Sequence, residues 1–208
     1  MNFPDTRDQA LARLHKFVRH VGRYSSNRNH VIPHHGNVSC LSAAIRHRLL
    51  TEWEVAEAPL THYAASTVEK FTQEVYWRTY WKGWLSLRPQ VWDDYLEGIE
   101  EHPDAEEIRQ GKGPVAVMNR FARELVETGY LHNHSRMWFA AYWVHVARLP
   151  WQLGAKIFSG SLTGFRSGLE HAFVAVGCGT ANARKDLFAK TNKHRKICGP
   201  GITRSAWT

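Results

Sequence analysis

Apolar positions near the start of the chain recur at steps of three and four. Leu11, Leu14, Phe17, Val18 and Val21 thereby fall on one face of a helix, with Asp5 or Thr6 placed to cap it. A loop follows, GRYSSNRNHVIPHHGN, rich in Ser, Asn, His, Gly and Pro. Thr51 with Glu54 spells a capping box for a short helix, and Ser66 with Glu69 spells another for a longer one. The longer segment runs through EKFTQEVYWRTYWKGWL and is aromatic on more than one face, a pattern expected of a helix buried within a larger domain. HPDAEEIRQGKGP then reads as a polar break bounded by Pro and Gly. Beyond it, VMNRFARELVETG and SRMWFAAYWVHVARL carry helical patterns, the first stopped by Gly129, and Pro150 opens WQLGAKIF. There is no internal repeat, and no alternating pattern of strand length before residue 160. The expected fold class is all-α.

Composition adds bounds to that picture. A chain of 208 residues is long enough for one large domain with a sizeable core and no need of a disulfide or metal staple. It has no apolar run of transmembrane length and no signal-peptide core, so no membrane association is expected. Cys40, Cys178 and Cys198 form an odd set without CxxC spacing, which reads as reduced thiols of a cytoplasmic protein. The net charge of +8 suggests a nucleic-acid partner, but its position matters: from residue 154 on there are nine of the 27 Lys and Arg and two of the 19 Asp and Glu. The part before 154 is nearly neutral, so basicity alone argues little about it.

Trp is the compositional oddity, since eight of the nine lie between positions 53 and 151. Such density serves as core filler, as a stacking platform for a flat ligand or base, or as a hopping chain for electrons, because indole is both broad-faced and oxidisable. Glu74, Arg78, His132, Asn133 and Arg136 are polar groups inside greasy helices, and each needs a partner if buried. Glu74 and Arg78 can pair with each other at i,i+4, or the set can line a polar pocket among aromatics. Asn37, Ser39 and Ser42 precede a helical stretch, where they serve as caps or as donors to phosphate oxygens. The 13 His include His34-His35 and His132/His134 but no HExxH, and no Cys partner stands at finger spacing. There is no GxSxG and no Walker pattern around GKGP at 111–114, so metal and hydrolase chemistry are not expected.

Four blocks, in order, resemble the flavin domain of the photolyase/cryptochrome family. YSSNRNH at 24–30 is similar to its Tyr-then-Arg-Asn loop, and VSCLS at 38–42 to its TSxLS segment. FTQEVYWRTYW at 71–81 resembles its central (W/F)xxExxWREFY helix, and TGYLHNHSRMWFAAYWVHVARLPW at 128–151 its TGWMHNRxRM run. The resemblance covers roughly residues 5–158. It implies a helical domain that binds FAD through Tyr24, Val38, Ser39, Cys40, Leu41, Ser42, Phe71, Arg78 and Arg136. It places Glu74, Trp77, Asn133 and Met137 against a pyrimidine dimer flipped out of damaged DNA, and Trp151 as a middle member of an electron-transfer chain. The implied activity is that of deoxyribodipyrimidine photolyase, a carbon–carbon lyase, in a monomeric protein without metal. The alternative is a cryptochrome-type light sensor acting through a protein partner. A third reading is a helical module that has lost its cofactor.

Two domains follow: 1–158 as a partial FAD-binding domain and 159–208 as a basic tail outside the family pattern. In SLTGFRSGLEH, Thr163 and Phe165 stand where the family writes Asp, which removes the carboxylate partner of Arg136 and leaves the flavin site incomplete. Codon degeneracy lets this tail, read one nucleotide downstream, spell an ending similar to the family's. The expectation is therefore an out-of-frame, poorly ordered segment and a chain inactive as it stands.

Overall fold

The computed structural model describes residues 3–98 and 101–162; Thr163, Phe165 and nearly all of the 159–208 tail lie outside the described residues. Ten α-helices and no strand occur among the described residues: α1 (Arg7–Val18), α2 (Tyr24–Asn27), α3 (Ser42–Arg46), α4 (Glu52–Glu57), α5 (Ala65–Ser86), α6 (Pro89–Glu97), α7 (Pro103–Arg109), α8 (Ala116–Thr128), α9 (Asn133–Ala141) and α10 (Trp151–Ser161). The all-α expectation holds.

Local chemistry accounts for several boundaries. Thr6, not Asp5, caps α1, accepting the Gln9 N–H at its hydroxyl, and the helix buries Ala10, Leu14, Phe17 and Val18. Thr51 and Glu54 form the complete capping box of α4. Gly129 ends α8 in the left-handed region at φ 64°, where a side chain would be strained. Pro150 stands just before α10, and the π turn Tyr142–Val146 continues α9.

Two expectations need correction. Ser66 is not the cap of α5: the helix begins at Ala65 behind an extended Ala64, so Ser66 already lies inside the first turn. The segment 102–114 is not wholly a break, because Pro103 opens the short helix α7. Proline suits the first helical position, whose N–H has no intrahelical acceptor anyway.

The apolar side chains form two clusters. The first joins α1, α3, α4 and the front half of α5 through residues such as Leu14, Phe17, Leu41, Leu50, Val55 and Phe71. The second joins α6 to α10 around Phe121, Leu125, Phe139, Trp143 and Phe158. Trp143 is fully buried there, and its indole N–H donates to the Pro150 carbonyl at 2.8 Å. Helix α5 departs from the greasy-and-buried expectation, since its buried residues are Val68, Phe71 and Val75, all in the first half. Its aromatic second half stands outside both clusters.

Candidate functional site

The 24–46 segment and the 128–136 segment face each other across a polar seam between the clusters. His35 Nε2 lies 2.8 Å from Glu124 Oε1, and the Cys40 thiol donates toward the Tyr130 hydroxyl at 3.7 Å. The His35 ring packs on Tyr130 at 4.9 Å and on His132 at 5.7 Å. A surface hollow of about 240 Å³, lined by His34, His35, Glu124 and Thr128, opens on this seam. Another, of about 390 Å³, lies away from it among His15, Val18, Arg19, Ala58, Thr61 and His62. The loop beside the first hollow is held in demanding conformations: His34, His35 and Cys40 all have positive φ, at 62°, 53° and 52°. Asn37 braces this loop, its side-chain amide donating to the carbonyls of Asn27 and His30 at 2.7 Å each.

Tyr24 stands edge-on to Phe71 at 5.3 Å, and both contact Phe17. Burial, and then the nearby Glu74 carboxylate, push the Tyr24 phenol well above its ordinary range. Arg28 pairs with Glu74 at 3.1 Å and Lys70 adds a second cation at 3.4 Å. Glu74 is thus not the partner of Arg78. Instead Arg78 donates to the Ser42 carbonyl at 3.2 Å. Of the 38–42 segment, Cys40 and Leu41 are buried and Val38, Ser39 and Ser42 are half-buried; the Ser39 hydroxyl accepts the Leu41 N–H at 3.4 Å.

Positive charge gathers here. Arg136 donates to the Leu131 carbonyl at 2.5 Å and lies over the Tyr130 ring at 5.5 Å, and it forms no ion pair among the described residues. Desolvation lowers the pKa of its guanidinium, with Arg78 adding repulsion. Arg78 is likewise lowered, first by desolvation and further by Arg46 and Arg48, against the opposing pull of Glu52. Partly desolvated guanidinium groups without carboxylates are costly unless an anion joins them. Cationic donors of this kind suit an anion such as a pyrophosphate.

The remaining candidates are more scattered. Trp77 is half-buried on α5 beside Tyr80 and Trp81. Asn133 is exposed and Met137 half-buried on α9. His132 caps α9 by accepting the His134 N–H at Nδ1, and desolvation, then His35, His134 and Arg136, push its pKa down to about 4. Trp151 packs on Tyr95 at 6.1 Å. The sequence reading missed Arg28, although it sits inside the YSSNRNH block, and it missed Glu124, for which no local signal exists because its partner is 89 residues away.

No helix among the described residues is long and apolar enough to cross a membrane. No group of three or more His, Cys, Asp or Glu among them could hold a metal ion.

Comparison with known proteins converges on one family. A family model described as the FAD binding domain of DNA photolyase matches residues 71–197. The chain is 25% identical over 180 residues to the deoxyribodipyrimidine photo-lyase of Escherichia coli, covering 77% of this chain and 36% of that protein. It is 24% identical over 172 residues to the photo-lyase of Neurospora crassa, covering 75% and 28%. Among solved structures, a bacterial class III photolyase from Agrobacterium tumefaciens matches with a TM-score of 0.69 and 21% identity, over 82% of this chain and 38% of that one. The chain therefore spans about a third of the length of these relatives.

Proposed function

Because the chain belongs to the family of the FAD binding domain of DNA photolyase, whose cofactor is FAD, we propose that it binds FAD on the polar seam and derives from a light-driven lyase for pyrimidine dimers in DNA. The observation that carries this reading is Arg136, a guanidinium that donates only to the Leu131 carbonyl, forms no ion pair among the described residues, and is disfavoured as a cation by desolvation and by the Arg78 charge. Arg136 and Arg78 are suited to hold an anionic dinucleotide, with Ser39 and Ser42 offering hydroxyls and the 38–42 backbone forming the loop. Tyr24 and Phe71 supply the aromatic wall, already fixed against Phe17.

A flavin held by Arg136, Arg78 and the 38–42 loop would supply light-driven electron transfer to a cyclobutane dimer. The protein's part is positioning and exclusion of water. A dimer must leave the base stack to be reached. Trp77 offers a face for the flipped bases, Glu74 accepts hydrogen bonds from them, and the family resemblance assigns Asn133 and Met137 to the same bases. Trp151 takes the role of electron relay. The damaged strand and a cytoplasmic setting belong to this proposal too. So does the prospect that the chain lacks full activity as it stands.

The test is the absorption spectrum of the purified protein, before and after denaturation to release any chromophore. Flavin bands near one FAD per chain are expected. A folded, colourless protein that takes up no added FAD overturns the reading. Light-dependent loss of dimers from irradiated DNA then separates a lyase from a sensor of the cryptochrome type, which changes its own spectrum but leaves the dimers intact.

A further inference from the structure

The side of α5 that faces α3 and α4 gathers more positive charge than its carboxylate neutralises. Arg78 donates to the Ser42 carbonyl at 3.2 Å, and Lys82 follows Arg78 by one turn on the same face of α5. Arg46 follows Ser42 by one turn and ends α3. Arg46 and Arg48 repel the charges of both Arg78 and Lys82, so the four cations share one corner. Glu52, the first residue of α4, is the carboxylate that acts on both. It is largely covered, with 13% of its side chain exposed, and is already held by Arg48 at 3.0 Å. Desolvation and then Arg48 lower the Lys82 pKa, and Glu52 only partly opposes them.

The backbone gives a second, independent sign. Arg48 has a φ of 60°, in the left-handed region where glycine is at ease and a long side chain is strained. Strain of that kind persists only where the surroundings impose it, and it gathers at sites that bind something. A helix-end role accounts for little of the charge. Helix α3 has only five residues, so its dipole is small, and Arg78 and Lys82 lie inside α5 rather than at its end.

Four cations around one committed carboxylate suit a compact group with two negative charges on one centre. A phosphate or phosphomonoester has that charge near neutral pH, and guanidinium and ammonium donors both bind it. A nucleic-acid backbone instead spreads single charges along a strand.

We propose that Arg46, Arg48, Arg78 and Lys82 form a binding site for a phosphate dianion, free or at the end of a small molecule such as a mononucleotide. Arg78 is shared with the proposed cofactor site, whereas Arg46, Arg48 and Lys82 are not. The charge and the strained turn stand whether or not the chain binds FAD.

The experiment is a titration of the purified full chain with sodium phosphate in the dark. Sodium chloride holds the ionic strength constant, and binding is read by calorimetry and by the unfolding temperature. Saturable binding is expected, with a parallel rise in that temperature. Lys82→Gln and Arg46→Gln should each weaken it roughly tenfold or more, the range for loss of a hydrogen bond to a charged group. Lys82→Arg should retain most of it, and Lys16→Gln, at an exposed position on α1, should change nothing. Circular dichroism must show unchanged helix content; where Lys82→Gln fails that check, Arg46→Gln decides. Arg136→Gln should leave phosphate affinity unchanged, so failure of the cofactor reading and failure of this site give different results.

An unfolding temperature that climbs linearly with phosphate, equally in Lys82→Gln, is the general effect of an excluded salt and overturns the site. So does phosphate binding that Arg136→Gln abolishes and Lys82→Gln leaves intact, because the anion then lies in the cofactor seam. Displacement of phosphate by AMP, but not by an oligothymidine without terminal phosphates, supports the dianion. Displacement by that oligothymidine overturns it in favour of a nucleic-acid backbone.

Discussion

Arg28 and Glu74, 46 residues apart in sequence, meet at 3.1 Å and fasten the loop after α2 to the middle of α5. The pair is about three-quarters covered on both sides, with side-chain exposures of 22% and 24%. It therefore does two jobs: it fixes the C-terminal end of α2, the short helix that opens with Tyr24, and it orients the carboxylate proposed to face the flipped bases.

Arg28→Ala should accordingly separate structure from chemistry. Pairs still partly open to solvent contribute up to about 1 kcal/mol, so thermal unfolding should shift down by about 2–4 °C. Glu74→Gln keeps the side-chain shape and should leave FAD content unchanged while lowering dimer repair. If Glu74→Gln repairs dimers at the wild-type rate, the carboxylate has no part in the reaction.

His132 makes stability depend on pH on the acid side. Its pKa is about 4 in the folded protein and about 6.5 in an unfolded chain. Between those values the unfolded state binds a proton that the folded state refuses, so stability falls as pH drops from about 6.5 to about 4. Above 6.5 the group contributes no slope, and below 4 the loss is complete, at most on the order of 3 kcal/mol. Urea unfolding at a series of pH values should show this limb. His132→Asn, which keeps an acceptor for the His134 N–H, should flatten it.

The capping box of α4 offers a local test. Thr51 accepts the Glu54 N–H at 3.2 Å, and Glu54 returns a bond to the Thr51 N–H at 2.8 Å. Arg7 also grips Glu54, and its hydrogen bond is the leading reason the carboxyl pKa falls to about 2. Thr51→Ala should cost about 1 kcal/mol in denaturant unfolding. Because the folded pKa of Glu54 lies below its ordinary value, its contribution is present above about pH 4.5 and fades toward pH 2. Thr51→Ala should therefore cost less near pH 2 than near pH 7.

The capping box was legible in the sequence because all its atoms lie within four residues. The same holds for the α1 stripe and for Gly129 at the end of α8. Ser66 misled for the converse reason: its spacing to Glu69 is right, but an extended Ala64 starts the helix sooner. Helix α7 was hidden because Pro103 breaks a helix when internal and opens one when first. The aromatic run of α5 could not be sorted into buried and open halves, since periodicity shows which residues share a face but not whether another element covers it. Arg28–Glu74, His35–Glu124 and Cys40–Tyr130 are pairs 46 to 90 residues apart, and no local pattern announces them. The family blocks point to segments 24–30, 38–42 and 128–151 without these partners.

Arg136 is where the cofactor reading is most exposed. Its guanidinium is satisfied in part by the Leu131 carbonyl and the Tyr130 face, but both are neutral and neither offsets a desolvated charge. An anion bound there removes that cost, so FAD should raise the unfolding temperature in proportion to its occupancy. Arg136→Gln keeps a donor for the Leu131 carbonyl and removes the charge. In the unliganded protein the change should be neutral or stabilising, because the desolvation penalty goes with the charge. FAD affinity, read by flavin fluorescence on titration, should fall at least tenfold, as expected for loss of a charge-assisted contact. Arg120→Gln, at an exposed position on α8, should alter neither quantity. If Arg136→Gln binds FAD as tightly as wild type, the anion lies elsewhere and the seam loses its role as the cofactor site.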